Sequence, residues 1–177
     1  MRLTRLAPIL TAAVALAACM AIVAPSVAAS EHEEPVGNLA ELMRAILFPN
    51  SNHLFDVQSY DPEAPPEASD SGDGSASARF ASIYTGWQVP QQAALALAEV
   101  EPQILNPDRM CENGKPAPVQ KDDYQEYARK LTEVAKKIYT AAHEKDRDKV
   151  SDLTNELAGA CEDCHFVYRK YQDRCDD

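Results

Sequence analysis

Apolar residues fall on one helical face in four separate stretches of this chain, and nowhere do apolar and polar positions alternate as they do in a half-buried strand. In residues 38–48 the apolar set is Leu39, Leu42, Met43, Ile46 and Leu47, the i, i+3, i+4, i+7, i+8 spacing of a single helical face. Pro49 and the "NSN" after it are expected to interrupt this first helix, with "HLFDV" adding a turn or two beyond a kink. A second helix is predicted from about Trp87–Pro90, where proline is tolerated in a first turn, through "QQAALALAEV"; Pro102 should kink or end it. After the loop "NPDRMCENGKPAPV", Asp122 is a candidate cap for a third helix with Tyr124, Tyr127, Leu131, Val134, Ile138 and Ala142 on its inner face. A fourth begins near Asp146 and aligns Val150, Leu153, Leu157, Ala160, Cys161, Cys164, Tyr168 and Tyr171.

Residues 57–79, "VQSYDPEAPPEASDSGDGSASAR", are rich in Pro, Ser, Gly and Asp and carry almost nothing to bury, so they read as a flexible connection. Four amphipathic helices without a strand predict an all-α protein, an antiparallel four-helix bundle.

The first 29 residues change the picture of where the chain works. Two arginines, an apolar run from Leu6 to Ala24 and the small residues Val27, Ala28 and Ala29 read as an export signal cleaved after Ala29. "LAAC", ending at Cys19, is a second reading of the same segment: a lipoprotein box that would anchor the chain through a lipidated Cys19. The apolar run continues past Cys19, which favours plain cleavage and a periplasmic protein with no membrane span. Removing residues 1–29 leaves 148 of 177 residues, enough for one core, so residues 30–177 read as one domain. The leader holds two of the 17 basic residues and none of the 28 acidic ones, so its loss takes the formal charge from −11 to −13. Such a surface repels nucleic acid and anionic lipid and suits a basic partner, or solubility alone.

The candidate chemistry lies in "CEDCHFVYRKY", residues 161–171. On a helix Cys161 and Cys164 are i, i+3 neighbours and Cys161 and His165 are i, i+4 neighbours, so the three side chains project from one face. C-x-x-C-H is the c-type haem attachment signature: two thioether links to the porphyrin and a histidine turned in toward the iron. A structural zinc site needs four ligands, and no second Cys/His pair stands at a suitable spacing. A thioredoxin-like dithiol belongs in a βαβ context. A disulfide within the motif leaves His165 without a task.

At its position on the last helix of an exported four-helix chain, "CEDCHFVYRKY" resembles the haem motif of the cytochrome c′ family, the class II c-type cytochromes, which reads C-x-x-C-H-x-x-Y-R. The resemblance covers the helical frame from about Leu39 onward; residues 57–79 and the "MCENGKPAPV" loop depart from the simplest members. It implies one covalent haem c held by Cys161 and Cys164, with His165 as the proximal iron ligand. It also implies a place for Arg169 beside the proximal side of the haem, where positive charge can tune the potential; a solvated arginine is the plain alternative.

In this family the residue on the other side of the iron comes from the first helix, a methionine in electron carriers and an apolar residue in members left open to gases. Met43 stands in the middle of that helix's apolar stripe and is the expected sixth ligand; core packing is the usual use of such a methionine. Met110, beside Cys111 in a loop, competes poorly. His53 is the rival, rotated about 80° from Met43 on an unbroken helix, and His32 and His143 read as exposed. Cys111 and Cys175 remain as an even pair in an oxidising compartment, and a disulfide between them is predicted across one pole of the bundle.

These readings predict a monohaem cytochrome that passes single electrons to a redox partner and is not an enzyme, since no nucleophile–base pair or phosphate loop is visible. The alternatives are a five-coordinate haem protein that binds or senses NO or CO, and an accessory haem subunit of a larger redox complex. A homodimer is compatible with either.

Overall fold

The computed structural model describes residues 33–64 and 84–169. The leader with Cys19, His32, and the C-terminal Tyr171 and Cys175 lie outside the described residues, as does most of the expected connection.

The described residues form an all-α four-helix bundle, with one isolated β-bridge between Met110 and Pro116 in a loop. Helix α1 is composite: an α-turn at Leu39–Leu42, a π-helical turn at Met43–Leu47, and a further α-helix at Phe48–Phe55, with a 3₁₀ turn at Asp56–Gln58. Helix α2 spans Gln88–Ala98, α3 Asp122–His143 and α4 Arg147–Tyr168. Each helix packs on the next, and α1 closes the ring against α4. The core between them is sealed by Leu54, Leu97, Ile138, Val150 and Leu157, each at most 1% exposed.

The helix ends follow local chemistry. Asn38 opens α1 with a capping box: its side chain accepts from the Glu41 N–H at 2.9 Å, and the Glu41 carboxylate accepts from the Asn38 N–H at 2.8 Å. Asp146 caps α4 by accepting from the Lys149 N–H at 2.9 Å. Asp122 is not a cap; Lys121 holds that position in extended conformation, and Asp122 and Asp123 place negative charge in the first turn of α3. Pro102 does not break α2 either. The helix stops at Ala98, and Pro102 sits in the first turn of a short helix, Glu101–Ile104, where its missing N–H costs nothing. Between α3 and α4 only residues 144–146 intervene, with Lys145 at φ 58° making the reversal.

Pro49 does not interrupt the first helix. In α register it would lack an N–H for the Ala45 carbonyl and press its ring against it. The chain widens instead: the Phe48 N–H reaches back to the Met43 carbonyl, five residues away. Two side chains then satisfy nearby carbonyls, the Asn50 amide donating to Ile46 O at 2.7 Å and the Ser51 hydroxyl to Phe48 O at 3.0 Å. The expected flexible connection also starts later than residue 57. Val57 is 3% exposed, the Gln58 amide donates to the Thr154 hydroxyl, and the Arg147 guanidinium donates to Val57 O at 3.2 Å.

Candidate haem site

The apolar faces of the four helices do not meet at the end of the bundle where α1 begins and α4 finishes. They leave a cavity of about 850 Å³, within the range of small-molecule and cofactor sites. Its walls are mainly apolar: Leu39, Leu47 and Phe48 from α1, Leu97 from α2, Ala128 and Leu131 from α3, with Cys111, Glu112 and Asn113 from the loop before α3.

All five residues expected to hold the cofactor line this cavity. Cys161, Cys164, His165 and Arg169 come from α4 and its C-terminal cap, and Met43 comes from α1. Because α4 stays regular through Tyr168, the i, i+3, i+4 spacing puts both sulfurs and the imidazole on the cavity side. Cys161, Cys164, His165 and Met43 are half-buried, while Arg169 is exposed and its backbone N–H closes the helix on His165 O at 2.9 Å. His53, the rival ligand, is exposed and does not line the cavity; neither does Met110, 41% exposed in its loop. His143 is exposed and stacks edge-on against Tyr139.

The electrostatics of the two thiols speak against the redox-dithiol use of the motif. Burial pushes the Cys161 thiol up, and burial together with Cys161 and Asp123 pushes Cys164 up to about 12. Redox dithiols work through thiolates and are built to lower these values. Here both sulfurs are neutral at physiological pH. Among the described residues no group of three His, Cys, Asp or Glu side chains could hold a metal ion, so a zinc site finds no support. Two neutral sulfurs beside an imidazole, facing an apolar cavity, fit thioether anchorage of a porphyrin.

Tyrosines brace this wall. Tyr168 meets Tyr124 edge-on at 5.1 Å and Tyr127 at 6.3 Å, Lys121 lies 5.9 Å over its ring, and its hydroxyl donates to Asp123 at 2.7 Å. The start of α3 is thus pinned to the end of α4, beside the motif. The Tyr124 hydroxyl is buried without a hydrogen-bond partner, and burial raises its pKa.

Residues 119–169 match the family model for cytochrome C'. The matched segment is the α3–α4 pair with both cysteines and His165, and it bears out the cytochrome c′ resemblance of the C-terminal motif. No curated protein and no solved structure gives a match. Met43 and the loop lie before the matched segment, so the cytochrome c′ match speaks for the α4 wall of the cavity and not for α1.

The loop before α3 carries one residue with no signal in the sequence pattern, Arg109, and one that the cysteine pairing singles out, Cys111. Arg109 is buried at 4% exposure, and Cys111 is buried and disulfide-bonded; Cys175, its expected partner, lies outside the described residues. A charged residue among polar loop neighbours reads as solvated, and only the tertiary fold reveals otherwise. Asn38 and Glu41 could have been found, since their spacing is that of a capping box. Among the described residues no helix is long and apolar enough to cross a membrane.

Proposed function

We propose that this chain is a periplasmic monohaem c-type cytochrome that carries single electrons, with haem c joined through Cys161 and Cys164 and its iron ligated by His165 and Met43. The observation that carries this reading is the convergence, on one cavity, of the attachment motif from α4 and a methionine from α1, more than a hundred residues apart. When bound, the haem supplies a one-electron iron couple; binding, orientation and exclusion of water fall to the chain. The apolar walls keep the surroundings poorly solvated, and a thioether ligand favours the reduced state and raises the potential. Arg169, on the rim one turn past His165, adds positive charge that acts in the same direction. The acidic surface suits a basic redox partner.

The test is optical. The purified protein should show low-spin spectra in both oxidation states, and Met43→Ala should convert them to high spin. The same variant should lower the reduction potential by tenths of a volt, within the roughly 0.8 V that axial ligands span. A wild-type spectrum that is already high-spin, unchanged by Met43→Ala and quick to bind carbon monoxide, would replace the electron carrier with a five-coordinate gas binder.

A further inference from the structure

The cavity's α1 wall begins with only four α-helical residues, Leu39–Leu42, before the π turn starts at Met43. As the N-terminal turn of the composite helix, this stretch carries N–H groups with no intrahelical partner, and it frays unless it is tied from outside. Its place is set by what it is tied to, and the ties come from the loop before α3. The Arg109 guanidinium donates from Nη1 to Gly37 O. Met110 O accepts from the Leu39 N–H at 2.8 Å. Glu112 pairs with Arg44 at 3.2 Å. Three loop positions therefore grip α1 at three points that bracket Met43.

Of these, Arg109 is the buried one. Its Nε donates to Gln103 O at 3.2 Å and its Nη2 to Gln103 Oε1 at 3.0 Å, so the fork is held on the short helix while its third donor reaches across to α1. Its acceptors are neutral oxygens. The planar guanidinium can meet three of them in fixed directions, which a lysine ammonium cannot. Beyond this point the loop turns at Gly114 (φ 80°), with the Cys111 N–H on Lys115 O at 2.7 Å.

We propose that Arg109 is a positioning residue for the sixth iron ligand: it fixes the entry of α1 through Gly37, and Met110 O through Leu39, and thereby the distance at which Met43 faces the α4 wall. This rests on the His165/Met43 reading above. The π turn that starts at Met43 gives the role its force, since a widened turn can change register more readily than an α-helix and must be pinned from its N-terminal side.

The experiment compares haem-loaded Arg109→Met, Arg109→Lys and Gln103→Ala with the unaltered protein, by optical spectrum, carbon monoxide association and hydrogen exchange at the Leu39 amide. Arg109→Met should speed Leu39 exchange about tenfold or more, as expected for losing a charged hydrogen bond. It should also turn part of the population high-spin and hasten carbon monoxide binding. Arg109→Lys should do so partially. Gln103→Ala, at an exposed position, should move the same readouts less, and it decides the matter if Arg109→Met does not fold. Leu157→Ala, a buried core position of α4 that does not line the cavity, supplies a comparable loss of stability and should leave the spectrum low-spin. If the Arg109 and Gln103 variants lose stability while Leu39 exchange and spin state stay as in Leu157→Ala, Arg109 is merely structural and the proposal is overturned. If Met43→Ala leaves the wild-type spectrum unchanged, the His165/Met43 reading fails and takes this role with it; if Met43→Ala changes it and these variants do not, this role alone fails.

Discussion

The two walls of the cavity that carry the expected iron ligands are built in opposite ways. On α4, both cysteines and His165 sit within five residues of one regular helix, braced by tyrosines, so their geometry follows from helical spacing alone. On α1, Met43 stands where an α-turn passes into a π turn, beside a proline and under a loop that grips it from outside. The proposed attachment site is local and nearly self-specifying. The proposed sixth ligand depends on tertiary construction, and it can be lost without harming the first.

That contrast can be broken at its strong end. Replacing Cys161 and Cys164 together by alanine should abolish covalent attachment, and denaturing mass analysis should find the bare chain where the unaltered protein carries the mass of haem. A bare mass for the unaltered, correctly exported chain would remove the haem reading altogether. Next in size is Pro49→Ala. Restoring an N–H allows the π turn to close to α, turning the residues before it by about 100° per residue of register. Stability should rise by no more than about 1 kcal/mol, since Pro49 already sits in the first turn of the α-segment Phe48–Phe55 behind a widened turn, while the low-spin fraction falls. An unchanged low-spin spectrum would mean that Met43 does not depend on the π turn.

A smaller effect separates the loaded from the unloaded α4 wall. In the haem-free chain the Cys164 thiol titrates near 12, against 9.0 for an ordinary thiol. Between those values the unfolded chain has released a proton that the folded chain keeps, so stability is full below pH 9 and falls as pH rises toward 12. A thioether does not titrate. Chemical denaturation of haem-free protein should therefore show a decline between pH 9 and 10, before the buried tyrosines add theirs, and loaded protein should not share it. The smallest effect is expected at the rim. Arg44 and Glu112 are 62% and 54% exposed, and Glu112→Gln should cost under about 1 kcal/mol and diminish further in high salt.

How much of this was legible in the sequence follows the same division. The periods of α3 and α4, the start of α4 near Asp146 and the motif are local signals, and the structure carries each of them through. Pro49 and Pro102 were legible as prolines but not in their effects, because each outcome depended on what the neighbouring turn could do at low cost. One turn widened around Pro49. The helix before Pro102 stopped early, and a new first turn received the proline. Asp122 missed its cap by one residue because Lys121 was free to take the extended conformation. The burial of Arg109 was not legible at all, since its acceptors, Gly37 O and the Gln103 oxygens, become neighbours only when the loop folds onto α1.

The reversal at Lys145 has a consequence for the order in which the protein is put together. It joins the two longest helices among the described residues through three residues, so their mutual contacts are local, and local contacts form fast. The α3–α4 hairpin is therefore expected to assemble while α1, separated from it by the loop and α2, is still undocked. In that interval the cysteines stand on a finished wall whose other side is open, and the cavity can receive a porphyrin that the completed bundle would have to unlatch to admit. Pulse-labelled hydrogen exchange during refolding should find α3 and α4 protected before α1; the reverse order would mean that attachment must precede the hairpin itself.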